Sequence, residues 1–286
     1  MSKLVALLRL TRAEHSIMLI IAVIAAEFIA KGIPSPSLLV LSLIAPASIS
    51  MASFAINDYF DVAVDKANKR MRPIVTGELT KDDALLVTAA GMLIGIIASA
   101  FINVQCFAIA LIFGILALLY SYRLKEILLI GNAYIAFSMA IPYIFGSYVV
   151  SNSIGAGIAI VAVLTFLSGI AREIHGTIRD LRGDHLRKAK TIPRAIGIRN
   201  SAVLAMCLYL AAVVLSLYLF MSVPPFRDNL AYLPLILASD CMLLYISVGY
   251  LGTARKGFYD FARNLSLVAM SLALLAFLLS PIKLLP

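Results

Sequence analysis

Long uncharged stretches alternate with polar breaks along the whole chain of 286 residues. Nine stretches are long enough to cross a bilayer: residues 14–31, 37–58, 82–101, 104–121, 130–150, 154–175, 201–221, 231–251 and 265–281. A backbone in hydrocarbon must satisfy its own hydrogen bonds, and no strand-like alternation of apolar and polar positions runs through these stretches. They therefore predict helices rather than barrel strands. The fold class expected is all-α, a polytopic membrane protein with nine transmembrane helices. Three breaks are short and nearly uncharged: Ile33-Pro34-Ser35-Pro36, Ser151-Asn152-Ser153 and Val223-Pro224-Pro225. The others, 59–81, 122–129, 172–200 and 252–264, carry charge. Within them Thr80-Lys81-Asp82-Asp83 reads as a helix cap, with Thr80 capping and Asp83 bonding back, so Asp82 and Asp83 have a structural task. Asn200 or Ser201 is expected to cap the seventh span.

Composition closes off the soluble alternatives. The chain is 62% hydrophobic and 14% charged, with a mean hydropathy of +0.99, and no soluble domain of this length can hide so much apolar surface. Cys106, Cys207 and Cys241 fall in or beside apolar runs without metal-ligand spacing and read as small apolar residues. The net charge of +9 does not point to nucleic acid, because its distribution follows the membrane. Connections counted alternately from the N-terminus place 21 of the 24 Lys and Arg on one side, leaving only Lys31, Arg227 and Lys283 on the other. The positive-inside rule makes the richer side, with the N-terminus and both long loops, cytoplasmic, and an odd helix count puts the C-terminus outside. Lys3, Arg9 and Arg12 precede the first span, which runs on into further spans and is expected to be an uncleaved helix. The expected location is the plasma membrane, multi-pass.

The candidate chemistry lies at the end of the second span, in Asn57-Asp58-Tyr59-Phe60-Asp61-Val62-Ala63-Val64-Asp65, with Lys66, Lys69, Arg70 and Arg72 just behind. On a helix Asn57, Asp61 and Asp65 fall along one face, with Asp58 one step round. Carboxylates gathered this closely repel unless something positive lies between them, and such oxygen donors suit Mg²⁺, which is held by a few carboxylates plus substrate phosphates. A solvated helix end is the plainer alternative, disfavoured because acids are scarce here and these sit at the mouth of a membrane span. A shift of 119 residues places Asp61 on Asp180, Asp65 on Asp184 and Lys69 on Lys188, again at the cytoplasmic end of a long apolar helix. This echo suggests two acidic helix ends facing a central cavity, each supplying part of a Mg²⁺ site. Two independent salt-bridged loops remain the alternative.

The elements Asn57-Asp58-x-x-Asp61-x-x-x-Asp65, Arg72-Pro73-Ile74-x-x-Gly77, Tyr120-Ser121-x-x-Leu124-Lys125 with Gly131-Asn132, and Asp180-x-x-Gly183-Asp184 resemble the UbiA superfamily of intramembrane prenyltransferases. The likeness covers most of the chain and implies a single domain over 1–286 with two internally similar halves, acidic motifs at 57–65 and 180–184. It implies an enzyme that moves an isoprenyl group from a prenyl diphosphate to a lipid or aromatic acceptor inside the bilayer. The cofactor implied is Mg²⁺, coordinated by Asn57, Asp61, Asp65, Asp180 and Asp184, with Asp58 joining these aspartates in catalysis. Arg72 and Lys125 would hold phosphate oxygens, Tyr120 would lie near the allylic carbon, and Arg12, Arg179 and Lys190 complete the substrate-binding set. Two departures stand out: relatives read Arg-Glu-x-x-Lys-Asp where this chain has Arg172-Glu173-Ile174-His175-Gly176-Thr177, and Asn-Lys-Pro where it has Asn68-Lys69-Arg70-Met71. Within the family the motif most resembles enzymes of archaeal ether-lipid synthesis. They join geranylgeranyl diphosphate to geranylgeranylglyceryl phosphate, and prenylation of an aromatic acid in quinone synthesis is the alternative. Neither an obligatory protein partner nor nucleic acid is expected, and the surrounding partners are membrane lipids.

Other polar residues leave choices open. His175 reads as an interfacial hydrogen-bonding group sooner than a base. Asp240 and Glu27, costly in lipid, serve either structure or acceptor handling. Gly146, Gly155 and Gly157 suit close helix packing. A transporter is the rival class, since intramembrane carboxylates belong there too, but transport sites lie near the midplane and these acids cluster at helix ends. An alcohol phosphatidyltransferase would need a Gly after its aspartates, where Val62 and His185 stand.

Overall fold

The computed structural model describes residues 2–127, 129–181, 191–252 and 257–282, and among these every regular element is helical. In chain order they are α1 (Lys3–Thr11), α2 (Ala13–Ile29), α3 (Pro36–Ala67), α4 (Lys81–Ala100), α5 (Val104–Tyr122), α6 (Ile130–Val150), α7 (Ala156–Leu181), α8 (Ile192–Ile196), α9 (Ile198–Ser222), α10 (Leu233–Leu251) and α11 (Phe258–Leu279), with a 3₁₀ turn at Leu124–Glu126. Eight of them are long and apolar enough to cross a membrane. With 17 residues, α2 lies at the short end of the spanning range of about 17–25. The nine spans read from the sequence are thus all present as helices, and the protein is a multi-pass membrane protein.

Three boundaries differ, for one reason. The helices α3 and α7 run past the apolar stretches that announced them, to Ala67 and Leu181, and α11 begins at Phe258 instead of 265. Hydropathy reports where lipid ends, whereas a helix continues through charged residues as long as none breaks it. Residues 57–65 therefore stand on helix and not on a loop. The short α1 was hidden by Lys3 and Arg9. It starts at the Ser2 cap, whose Oγ accepts from the Val5 amide, and ends where Arg12 takes a left-handed backbone (φ 45°).

The Thr80–Asp83 cap acts as read, and two caps that were not foreseen join it. Ser35 caps α3 with Pro36 in its first turn, Asn103 accepts from the Cys106 amide at 2.8 Å to start α5, and Thr80 and Asp83 form a reciprocal capping box on α4. Lys3 adds an ion pair to Asp83 at 3.0 Å. The seventh span is different: Gly197, not Asn200 or Ser201, precedes α9, and those two side chains bond back to the carbonyls of Ile196 and Gly197. At Gly197 the backbone has φ 83°, a conformation glycine adopts freely.

The chain forms two compact units, residues 1–23 with 34–125 and residues 24–33 with 126–286. In the first, α3 packs along α4 and α5, and α1 lies on α3. Lipid tails are as apolar as leucine, so helices associate in a bilayer through close packing of small residues rather than through the hydrophobic effect. Gly91 and Gly95 of α4 show this: an added Cβ would fall 2.7 Å from the carbonyl oxygen of Ser48 or of Ala45 on α3. In the second unit α7 packs between α6 and α9, α9 meets α10, and α10 meets α11. There Gly169 lies against Ala136, and Gly157 against Phe226, as its sequence context suggested; Gly155 faces open space. Many large apolar side chains, Leu86, Phe101, Val104, Val214 and Met221 among them, are exposed, as a lipid-facing surface requires, while others such as Phe226 and Phe277 are buried.

Candidate active site

The C-terminal end of α3 turns a buried face of carboxylates inward. Asp58, Asp61 and Asp65 are 1%, 8% and 2% exposed, spaced i, i+3, i+7, so Asp58 belongs to the buried row and Asn57 stands half-buried at its edge. Asn57 Nδ2 donates to Asp61 Oδ2 at 3.1 Å, the i, i+4 relation expected of a helix.

Every carboxylate of the row has a cation. Arg12 Nη2 donates to Asp58 Oδ1 at 2.7 Å, and its guanidinium lies 4.5 Å from the centre of the Phe54 ring. Lys125 Nζ donates to Asp61 Oδ1 at 2.6 Å. Asp65 receives Arg70 at 3.4 Å, with Arg72 Nε at 3.9 Å. The segment after α3 makes this possible: the Arg70 amide bonds back to the Asp65 carbonyl, and the left-handed Gly77 turns the chain before α4. Arg72 Nε and Asp58 Oδ2 are buried without a hydrogen-bond partner. Buried polar atoms left in that state are costly and point to a missing ligand. Beside them a cleft of about 360 Å³ is lined by Arg9, Arg12 and Arg72 together with Val5, Leu8, Met71 and Glu14.

The first unit thus assembles Asn57, Asp58, Asp61, Asp65, Arg12, Arg72 and Lys125. Tyr120 lies half-buried in the last turn of α5. In the second unit Asp180 stands one residue before the end of α7 and pairs with its neighbour Arg179 at 2.9 Å. Asp184, Lys188 and Lys190 lie outside the described residues. At the departure from the family pattern, the Thr177 hydroxyl donates to the Ile174 carbonyl at 2.8 Å, and a side chain added at Gly176 would meet nothing within 4 Å.

Arg12, read from the sequence as a phosphate-binding group, donates to Asp58 and also lines the cleft. Two readings change. The His175 ring is not a hydrogen-bonding group: it is 4% exposed, lies 3.9 Å from the Tyr250 ring and nearly parallel to it, and neither ring nitrogen has a hydrogen-bond partner. Asp240 takes the structural option, linking α10 to α9 through Ser216 Oγ at 2.6 Å, beside a Tyr232 hydroxyl that donates to the Ser216 carbonyl. Sequence reasoning missed Arg9, which reaches both carboxylate oxygens of Glu78 and the Met71 carbonyl and so fixes the segment bearing Arg70 and Arg72. It also missed Arg70 as the partner of Asp65, although its place five residues on was a usable signal.

Hard oxygen donors on one helix face fit a magnesium ion. Among the described residues no three His, Cys, Asp or Glu side chains group into a metal cage by themselves. Mg²⁺ is commonly held by a few carboxylates together with phosphate oxygens and water. An acidic helix end edged by Arg and Lys, in a helical membrane protein, offers the charges that a metal ion and phosphate oxygens require.

Comparison with known proteins agrees. Residues 18–268 match the UbiA prenyltransferase family, and the chain belongs to it. It is 36% identical over 270 residues to a digeranylgeranylglyceryl phosphate synthase of Archaeoglobus fulgidus, covering 94% of this chain and 92% of that one. A solved structure of a digeranylgeranylglyceryl phosphate synthase in membranes superposes with a TM-score of 0.80 at 26% identity, covering 99% of this chain and all of that one. A UbiA homologue from Archaeoglobus fulgidus, solved bound to DMAPP and Mg²⁺, shares the fold with a TM-score of 0.68 at 20% identity and 98% coverage of this chain and 99% of that one.

Proposed function

We propose that the chain is a magnesium-dependent intramembrane prenyltransferase that transfers a geranylgeranyl group from its diphosphate to the free hydroxyl of geranylgeranylglyceryl phosphate. The observation carrying the substrate pair is the 36% identity, over nearly the full chain, to a digeranylgeranylglyceryl phosphate synthase. The carboxylate row on α3, bordered by free donors of Arg72 and by Lys125, supplies the chemistry.

In the reaction the allylic C–O bond breaks with its electron pair leaving on the diphosphate, and the acceptor oxygen bonds to the allylic carbon as its proton passes to the released diphosphate. Bound Mg²⁺ supplies charge stabilisation to the leaving diphosphate. Asn57, Asp61 and Asp65 are assigned to hold it. Asp180 and Asp184 are assigned the same task on the sequence echo and the family resemblance, Asp180 supported by its place at the end of α7. Asp58 braces the row through Arg12. Arg72 and Lys125 direct cationic donors at phosphate oxygens, and such preorganised groups act most strongly where water is scarce. Tyr120 is assigned to the allylic carbon on the family resemblance, where an aromatic face would stabilise positive charge. Arg179 and Lys190 are assigned to the diphosphate from the second motif. The acceptor carries a phosphate of its own, and the cleft lined by Arg9, Arg12 and Arg72 fits it, with Val5, Leu8 and Met71 beside it for the start of a lipid chain. The protein is assigned to the plasma membrane with its acidic motifs cytoplasmic, supported by the bias of 21 in 24 basic residues.

The test offers purified protein labelled geranylgeranyl diphosphate with geranylgeranylglyceryl phosphate, hydroxybenzoate or dihydroxynaphthoate in separate reactions, and identifies products by mass. A diether lipid is expected. A prenylated aromatic acid without diether refutes the acceptor assignment, and no prenyl transfer to any acceptor refutes the activity.

A further inference from the structure

The side chains of the first unit leave the α3 row with no surplus negative charge. Three carboxylates, Asp58, Asp61 and Asp65, meet four cationic side chains, Arg12, Lys125, Arg70 and Arg72. Asp61 is the most fully engaged: Lys125 Nζ holds Oδ1 at 2.6 Å, and Asn57 Nδ2 holds Oδ2 at 3.1 Å. Asn57 is thereby turned amide-first toward Asp61, with its nitrogen where a metal would need an oxygen. A bare divalent cation approaching this row meets neutralised oxygens and must displace an ammonium to reach one. The Lys125 and Asp61 side chains are only 18% and 11% exposed, so water screens the displacement poorly.

A diphosphate changes the balance. Its oxygens offer Lys125 a second, more highly charged acceptor, which frees Asp61 Oδ1, and they supply the ligands that Mg²⁺ cannot collect from this helix alone. We propose that Lys125 is a positioning residue with two stations, one on Asp61 and one on the diphosphate, and that this exchange makes magnesium bind with or after the diphosphate rather than before it. The inference rests on the magnesium-dependent reading above but concerns binding order, not the acceptor.

Calorimetry on the full-length protein in detergent tests it without turnover. Wild type is titrated with MgCl₂ alone and then with MgCl₂ in the presence of inorganic pyrophosphate, with the heat of magnesium binding to free pyrophosphate measured without protein and subtracted. The expected result is magnesium affinity at least about tenfold tighter with pyrophosphate than without, a coupling of about 1.4 kcal/mol or more. Lys125→Met should tighten binding of magnesium alone by about tenfold or more, since Asp61 loses its competitor, and weaken binding of pyrophosphate. Lys125→Arg should restore the wild-type order. Equal magnesium affinity with and without pyrophosphate in wild type overturns the proposal, whether or not the variants fold. Unchanged free-magnesium affinity in a folded Lys125→Met protein also overturns it. Failure of the prenyltransferase reading looks different, as absence of any prenylated product in the acceptor assay.

Discussion

Replacing Arg12 by methionine tests whether this residue braces the site or binds substrate. The Arg12 side chain is 16% exposed and that of Asp58 not at all, and the second oxygen of Asp58 has no hydrogen bond. Methionine keeps much of the volume but leaves a carboxylate buried with no partner at 2.7 Å. Removing one member of a buried ion pair typically costs about 3–5 kcal/mol, chiefly the penalty of the stranded charge. Losing the guanidinium from the Phe54 ring adds about 0.5–2 kcal/mol. The reverse change, Asp58→Asn, strands a guanidinium that already reaches water, and should cost less. For a chain of this size about 1 kcal/mol moves the melting temperature by about 2–4 °C, so Arg12→Met should lower it by roughly 10 °C. The double variant Arg12→Met with Asp58→Asn should recover most of that loss, because no charge is left stranded. The assay is thermal unfolding in detergent of wild type, both singles and the double, read as a cycle. A melting temperature of Arg12→Met within about 1 °C of wild type, with a raised KM for the acceptor, would refute the bracing role.

The remaining predictions concern the metal ligands, Asp240 and the α3–α4 contact. Asp61→Ala and Asp180→Ala should each lower turnover by about two orders of magnitude or more with the fold retained, and EDTA should abolish wild-type activity until Mg²⁺ is restored; near-normal turnover in both variants would remove these residues from the metal. Asp240→Asn should leave thermal stability nearly unchanged, because an amide can donate to Ser216 Oγ, whereas Asp240→Leu loses the interhelical bond at a cost of about 1–2 kcal/mol. Gly95→Val should lower the melting temperature more than Gly155→Val, since a Cβ at 95 collides with the Ala45 carbonyl and Ile49 while 155 has open space.

The spans were legible because lipid imposes a strong and local condition: about 20 apolar residues in a row, with turn formers between. The cap at Thr80 belongs to the same class of local information, since the capping oxygen and the amide it accepts from are three residues apart. The ends of α3 and α7 escaped because nothing polar marks a helix end when the helix leaves lipid before it stops. At α9 an Asn-Ser pair looked like a cap, but Gly197 had already ended the short α8 and opened the next helix. Close packing at Gly91 and Gly95 was missed for another reason. A small residue marks a contact only when the facing helix is known, so Gly155 and Gly157, two residues apart, look alike in sequence yet meet different surroundings.

The site divides along the same line. Asn57, Asp61 and Asp65 could be placed on one face from helical geometry, because their relation spans eight residues. Their partners could not: Arg12 lies 46 residues from Asp58, and Lys125 lies 64 residues from Asp61. Only folding shows that α3 is held by a cation from each direction along the chain, one at the α1–α2 kink and one after α5. The same carboxylates therefore carry two loads. They are assigned to the metal, and they tie the ends of neighbouring helices to α3. In each pair the cation is the more exposed partner, most clearly at Arg70 and Arg72 and least at Lys125, and this asymmetry keeps the two separable. Deleting an acid leaves a partly solvated cation behind and spares the fold, whereas deleting Arg12 strands a buried acid. Loss of activity with an intact fold is thus the signature expected of the aspartates, and loss of the fold the signature expected of Arg12.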